Sequence, residues 1–112
     1  MNCKVYITDE GFGPIVRQNA IIKELNRLQP DLKITCQLER HLEQAQKLIP
    51  ECNFINRYNN ITWHKTKDGF PDVEEIKKSY ALYNERSDEF IKNELKDFNY
   101  DFVLSDFVYE AF

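Results

Sequence analysis

The sequence predicts an α/β protein, a Rossmann-like three-layer sandwich built on a mostly parallel sheet. Three observations carry that expectation. Short runs rich in β-branched and aromatic residues, CKVYIT, LKITCQL and DFVLSD, alternate with longer segments of helical apolar spacing. Such alternation implies right-handed β-α-β crossovers, which lay the strands parallel. The strand-like runs are short and largely apolar, as suits a sheet covered on both faces.

Each element follows from local chemistry. Cys3–Thr8 reads as the first strand, with glycines directly after it. Pro14 to Leu28 reads as a helix. Pro14 suits the first helical position, where its missing N–H costs nothing, and Ile21, Leu25 and Leu28 form an apolar stripe. Gln29-Pro30-Asp31 stops it. Leu32 to Leu38 is a second strand. Glu39 to Ile49 follows as a helix with Leu42, Ala45, Leu48 and Ile49 on one face, ended by Pro50. Asn53 to Tyr58 reads as a short strand, Asn59-Asn60 as a turn, and Ile61 to His64 as extended chain. Asp72, with Glu75 three residues on, signals a capping box. A broken stripe of Ile76, Tyr80, Tyr83, Phe90 and Leu95 then runs through a long helix to about Asp97. Ser87 interrupts that face, which leaves a kink or two helices open there. Asp101 to Asp106 is the clearest buried strand. The tail FVYEAF reads as the start of a further helix cut short. With no repeat and no linker in view, the expectation is one domain over residues 1–112, incomplete at its C-terminal end.

The composition is that of an ordinary globular protein: 112 residues, 42% hydrophobic and 30% charged, with a net charge of −4. Lysines and arginines are interleaved with acids, so no basic face for nucleic acid is expected. No apolar run approaches the ~20 residues of a membrane span, and the N-terminus lacks the layout of a secretory signal. Cys3, Cys36 and Cys52 are odd in number and show no C-x-x-C spacing, which argues against a disulfide framework and a zinc site and for reduced thiols in a cytoplasmic protein. His41 and His64 stand apart and read as surface or locally satisfied histidines rather than metal ligands. No metal and no cofactor is expected.

Two of the chain's three glycines, Gly11 and Gly13, fall within ITDEGFGPIVR. In a Rossmann-like fold the turn after the first strand faces the crevice where ligands bind. Glycine there permits positive φ and close approach of backbone N–H groups to a ligand; the plainer alternative is a tight turn that needs glycine for geometry alone. Pro14 removes one donor and makes the turn a poorer anion site. The dinucleotide fingerprint fails because Val16 stands at its third glycine, and no P-loop is present. Arg17, one turn into the helix, either reaches over the loop to a carboxylate or phosphate or snorkels along the surface. Asp9 and Glu10 end the first strand and Asp106 ends the last, so a parallel sheet brings all three to one edge. There they can orient a hydroxyl, bind Mg²⁺ or act as a base. Solvated loop acids, and for Asp106 a cap on a following helix, are the alternatives.

At these residues the chain resembles the glycosyltransferases of GT-B architecture, whose N-terminal Rossmann-like domain often opens with a strand and a G-x-G-H-x-x-R type loop. GFGPIVR, Gly11 to Arg17, is similar to the GFGHATR type loop of the glycosyltransferase-like domain fused to sugar kinases of the arabinokinase kind. DFVLSDF resembles that domain's DFVVSD type strand. The likeness in element order spans nearly the whole chain; the specific motifs cover about fifteen residues. The resemblance implies that Gly11 and Gly13 shape a loop beside the interdomain cleft, that Arg17 is the motif arginine, and that Asp106 faces the acceptor side. Ligand contacts are thus expected from Gly11, Gly13, Arg17 and Glu10. Pro14 replaces the motif histidine and cannot move a proton, so a base would have to be Asp106 or Asp9. The partners implied are a sugar or sugar-containing acceptor here and a nucleotide sugar held by a second domain. The isolated chain is expected to be inactive and open to self-association through its uncovered surfaces. Two alternatives stand beside this. One is a receiver-like phosphoacceptor domain, suggested by ITDE and YDFVLSD, although Asp106 lies too near the end of the chain and Gly-x-Gly is foreign to receivers. The other is a non-catalytic α/β binding module.

Overall fold

A computed structural model describes residues 1–8, 11–57, 61 and 64–106. In chain order the elements are β1 (Asn2–Ile7), α1 (Gly13–Leu28), β2 (Lys33–Leu38), α2 (Leu42–Leu48), β3 (Asn53–Asn56), α3 (Val73–Lys96) and β4 (Phe102–Asp106). The four strands form one sheet in the order β3-β2-β1-β4, and every pairing is parallel. This is an α/β Rossmann-like fold. The chain winds outward from β1 through β2 to β3, then returns to the other side of β1 as β4. The order therefore reverses between β1 and β4, and the crevice at the carboxyl ends of those two strands is where such sheets bind ligands.

The chain divides into two compact units, Met1–Tyr58 with Asn99–Phe112, and Asn59–Phe98. The first holds the sheet, α1 and α2. One face of its strands carries Cys3, Val5 and Ile7 of β1 beside Ile34, Cys36 and Leu38 of β2. Ile15 and Ile22 of α1, Ala45 of α2, and the loop residues Leu32, Ile49 and Cys52 close over them as one buried cluster. The alternate residues of β1 point to the other face. There Lys4, Tyr6 and Thr8, with Gln37 of β2, are also buried. Lys4 Nζ lies 4.9 Å from the centroid of the Tyr6 ring and 5.3 Å from that of Tyr100, an arrangement in which the ring quadrupoles replace part of the lost hydration. β1 is thus covered on both sides, as its composition suggested, but only one side is apolar.

The helices of this unit differ from expectation in which face they bury. On α1 the buried residues are Pro14, Ile15, Gln18 and Ile22, with Leu25 partly so. Ile21 and Leu28, assigned from the sequence to the stripe, are 44% and 62% exposed. The true stripe has the spacing 15, 18, 22, 25, and the glutamine at its second position hid it. On α2, Ala45 is fully buried, as is Ile49 just past its end, while Leu48 is exposed. That helix starts at Leu42 rather than Glu39, and His41 at its N-cap offers no side-chain cap. β4 is less buried than expected, with only Asp106 in the fully buried class, because it is an outer strand of the sheet among the described residues.

In the second unit α3 runs as one helix through Ser87, without division. The Ser87 hydroxyl donates to the Tyr83 carbonyl at 2.8 Å and so meets its own hydrogen-bonding need within the helix. The Asp72 carboxylate accepts from the Glu75 N–H at 3.2 Å, which makes half of the capping box; the Glu75 carboxylate pairs with Lys78 at 2.9 Å. Ahead of the helix, Lys65 bridges to Pro71 and the Asp72 N–H donates to the His64 carbonyl at 2.9 Å. Among the described residues no helix is long and apolar enough to cross a membrane. The turn expected at Asn59-Asn60 and the helix start expected in FVYEAF lie outside the described residues.

Candidate functional site

The turn from β1 into α1 contains two glycines that stand there for different reasons. Gly11 has φ +79°, a conformation that costs an L side chain roughly 1–2 kcal/mol. Gly13, the first residue of α1, has no such φ. A Cβ added there would lie 3.5 Å from Arg17 Nη1, in ordinary contact. The lack of a side chain at Gly13 therefore leaves the outer edge of the arginine uncovered. Phe12 between them is the N-cap residue, makes no side-chain cap, and its carbonyl accepts from the Val16 N–H at 3.1 Å. Pro14 occupies the first turn, as expected.

Asp106 is the last residue of β4 and pairs with Ile7 at the end of β1. Its carbonyl accepts from the Thr8 N–H at 3.2 Å, so the two strand ends are joined just where the glycine turn leaves. Arg17 lies alongside the Asp106 carboxylate. Nη2 donates to Oδ1 at 2.9 Å and to Oδ2 at 3.1 Å, and Nε donates to Oδ2 at 3.3 Å. Gln18 Nε2 adds a further donor to Oδ2 at 3.3 Å. The pair is asymmetric in solvent: the Arg17 side chain is 55% exposed and that of Asp106 only 5%. A carboxylate so deeply buried depends on such charge-assisted donors. The arginine turns one side of its guanidinium to the protein and leaves Nη1 with no protein partner among the described residues.

Of the residues singled out from the sequence, Gly11, Gly13, Arg17 and Asp106 thus meet at one rim, the carboxyl ends of β1 and β4. Arg17 reaches over the loop to a carboxylate, and that carboxylate is the protein's own. Asp9 and Glu10 lie outside the described residues. Two contributors were missed. Gln18 was passed over because it breaks an apolar stripe, and that break was itself the available signal: a polar residue on a buried face requires a polar partner. Its Oε1 is buried and makes no hydrogen bond among the described residues. The second is a ring contact between neighbouring turns. Phe12 lies 4.7 Å from His41, centroid to centroid, at 41°. No sequence signal pointed to it, because the two residues meet only once β1 and β2 are adjacent.

Beneath the sheet, Cys3, Cys36 and Cys52 are free and buried. Burial first, and Cys52 second, pushes the Cys3 thiol up to about 11. A hydrogen bond with Cys52, reinforced by burial, pushes Cys36 up as well. Cys3 and Cys36, held protonated in this way, are poor nucleophiles and poor metal ligands, while the same hydrogen bond with Cys36 pushes the Cys52 thiol down. Among the described residues no group of three His, Cys, Asp or Glu side chains is placed to hold a metal ion. The rim of β1 and β4 offers directional polar chemistry, in the bonds that join Arg17 and Gln18 to Asp106. No family model, no curated protein and no solved structure matches the sequence.

Proposed function

We propose that this chain is the acceptor-side, N-terminal domain of a glycosyltransferase-like protein of GT-B architecture, acting on a sugar or sugar-containing acceptor. The observation that carries the reading is the junction of the GFGPIVR turn and the DFVLSD strand: the arginine of one motif is bound to the aspartate of the other across the crevice at which strand order reverses. The two segments that resemble the GT-B domain are 89 residues apart in sequence and form one structure.

On this reading the acceptor hydroxyl approaches the rim beside Gly13 and Arg17. A nucleotide sugar, held by a second domain, presents its anomeric carbon to that oxygen. The glycosidic bond forms as the bond to the nucleotide diphosphate breaks. Asp106, accepting four hydrogen bonds from Arg17 and Gln18, serves to position the arginine, and Asp9 is the remaining candidate for taking the hydroxyl proton. Pro14 takes no part in proton transfer. On this reading the chain alone does not turn over substrate. A reducing, cytoplasmic setting accords with its three free cysteines.

The reading is tested on the isotopically labelled chain. Backbone amides of Gly11, Gly13, Arg17 and Asp106 are followed by NMR during titration with neutral methyl glycosides, with UDP-glucose, and with acetyl phosphate plus Mg²⁺. The glycosides are expected to move these signals and UDP-glucose to leave them unchanged. Preference for the nucleotide sugar, or a phosphoryl adduct on Asp106 detected by mass, would sink the assignment.

A further inference from the structure

Phe12 is 57% exposed, and neither the fold nor the turn needs an aromatic ring there. The turn's geometry comes from Gly11, and the helix behind it starts without help from the Phe12 side chain. What the ring does have is a neighbour. His41 is the N-cap residue of α2 as Phe12 is of α1. Both helices leave the carboxyl ends of adjacent strands, so both rings stand on the rim that also carries Arg17 and Asp106. The rings lie 4.7 Å apart and tilted by 41°, within the range of favourable aromatic pairs. His41 backs Phe12, and the exposed remainder of the phenyl ring is open to solvent.

The charge around this platform selects among ligands. Arg17 is already matched by Asp106 at 2.9 Å, and the turn that carries His41 adds one acid and one base, Glu39 and Arg40. The sequence adds Asp9 and Glu10 immediately before Gly11, and Pro14 withdraws a backbone donor from the helix N-terminus. A phosphate would meet excess negative charge and one donor too few. A neutral polyol would not: a hydroxyl can accept from Arg17 Nη1, and the apolar C–H face of a pyranose can lie on a phenyl ring.

We propose that Phe12, backed by His41, is the stacking platform for a neutral pyranose ring, with Arg17 Nη1 donating to one of its hydroxyls. This rests on the acceptor-side reading and specifies how that acceptor is held. Gly13 belongs to the same device, since a side chain there would cover the donating nitrogen.

The test uses the chain with labelled aromatic side chains and the methyl glycosides of glucose, galactose, mannose and N-acetylglucosamine, with glucose 6-phosphate as the anionic comparison. At least one neutral glycoside is expected to shift the ring signals of Phe12 and His41 and to bind more tightly than glucose 6-phosphate. Phe12→Leu keeps an apolar side chain at an exposed position, so it keeps the fold. It should weaken that glycoside roughly 2- to 10-fold, the size of one lost aromatic contact. Glycosides that move the Arg17 and Gly13 amides but bind Phe12→Leu equally well would overturn the platform and leave the acceptor-side reading standing. Tighter binding of glucose 6-phosphate, or no response from any rim signal to any glycoside, would overturn both.

Discussion

Ile22 and Gln18 lie one turn apart on the buried face of α1, at 0% and 6% exposure, yet they belong to regions held together by different forces. Around Ile22, beneath α1 and α2, the contacts are apolar and non-directional. The side chains of Val5, Ile7, Ile34 and Leu38 could be exchanged for others of similar volume with modest loss. Around Gln18, at the rim, one carboxylate fixes two side chains from a neighbouring helix through bonds of 2.9 to 3.3 Å. Volume governs the first region and donor–acceptor geometry the second. A fold can be held by the first kind of contact alone. A site with defined directions needs the second.

The contrast makes a graded set of expectations for stability. Ile22→Ala removes a fully buried side chain from the apolar region and should cost about 2–5 kcal/mol in urea unfolding; a loss under ~1 kcal/mol would mean that α1 is not seated on the sheet as described. Alkaline pH attacks the same region. Burial pushes the Cys3 thiol up to about 11 in the folded protein, above the ordinary thiol value. A raised folded pKa leaves stability intact below the unfolded pKa and erodes it as pH rises through the folded one. The window is therefore about pH 9 to 11, with a loss on the order of 2–3 kcal/mol. Cys3→Ala should make that limb shallower, Cys36, also pushed up, accounting for the slope that remains; an unchanged pH profile in the variant would assign the loss to other groups.

At the rim, Asp106→Ala should cost about 1–3 kcal/mol, because it leaves the buried Gln18 amide without its acceptor. Arg17→Ala strips three of the four hydrogen bonds from a carboxylate only 5% exposed, so it should cost at least as much in stability and also weaken any ligand that takes Nη1. A loss of stability with ligand affinity unchanged would make Arg17 a structural residue. Smallest of all is the pair of glycine substitutions. Gly11→Ala should lose roughly 1–2 kcal/mol for its positive φ. Gly13→Ala should be neutral within about 0.5 kcal/mol in melting experiments, while weakening any ligand that takes Arg17 Nη1.

Residue patterns account for what the sequence could and could not reveal. Element order, parallel pairing and the meeting of Gly13 with Asp106 were readable, because alternating helices and strands admit few topologies. The buried face of α1 was misread because Ile21 and Leu28 keep helical spacing as well as Ile15 and Ile22 do, and periodicity cannot rank two stripes when one contains a glutamine. Ser87 suggested a break where there is none, since a hydroxyl can bond within its own helix. Lys4, buried at 2% exposure, left no mark in the strand pattern beyond being one charge in a run of apolar residues. The Phe12–His41 contact depends wholly on tertiary pairing and was out of reach.

The pairing of β1 with β4 has a mechanical consequence. The two strands run in the same direction, and they are tied at both ends: the Asn2 N–H to Asp101 Oδ2 at 2.7 Å at one, the Thr8 N–H to the Asp106 carbonyl at 3.2 Å at the other. The chain enters β1 at the end of the pair opposite to that at which it leaves β4. Tension applied between Met1 and Asp106 is thus borne in shear along the whole ladder, with every rung loaded together, instead of being unzipped one rung at a time. The segment that must resist longest under such a pull is also the one that sets the arginine against its aspartate.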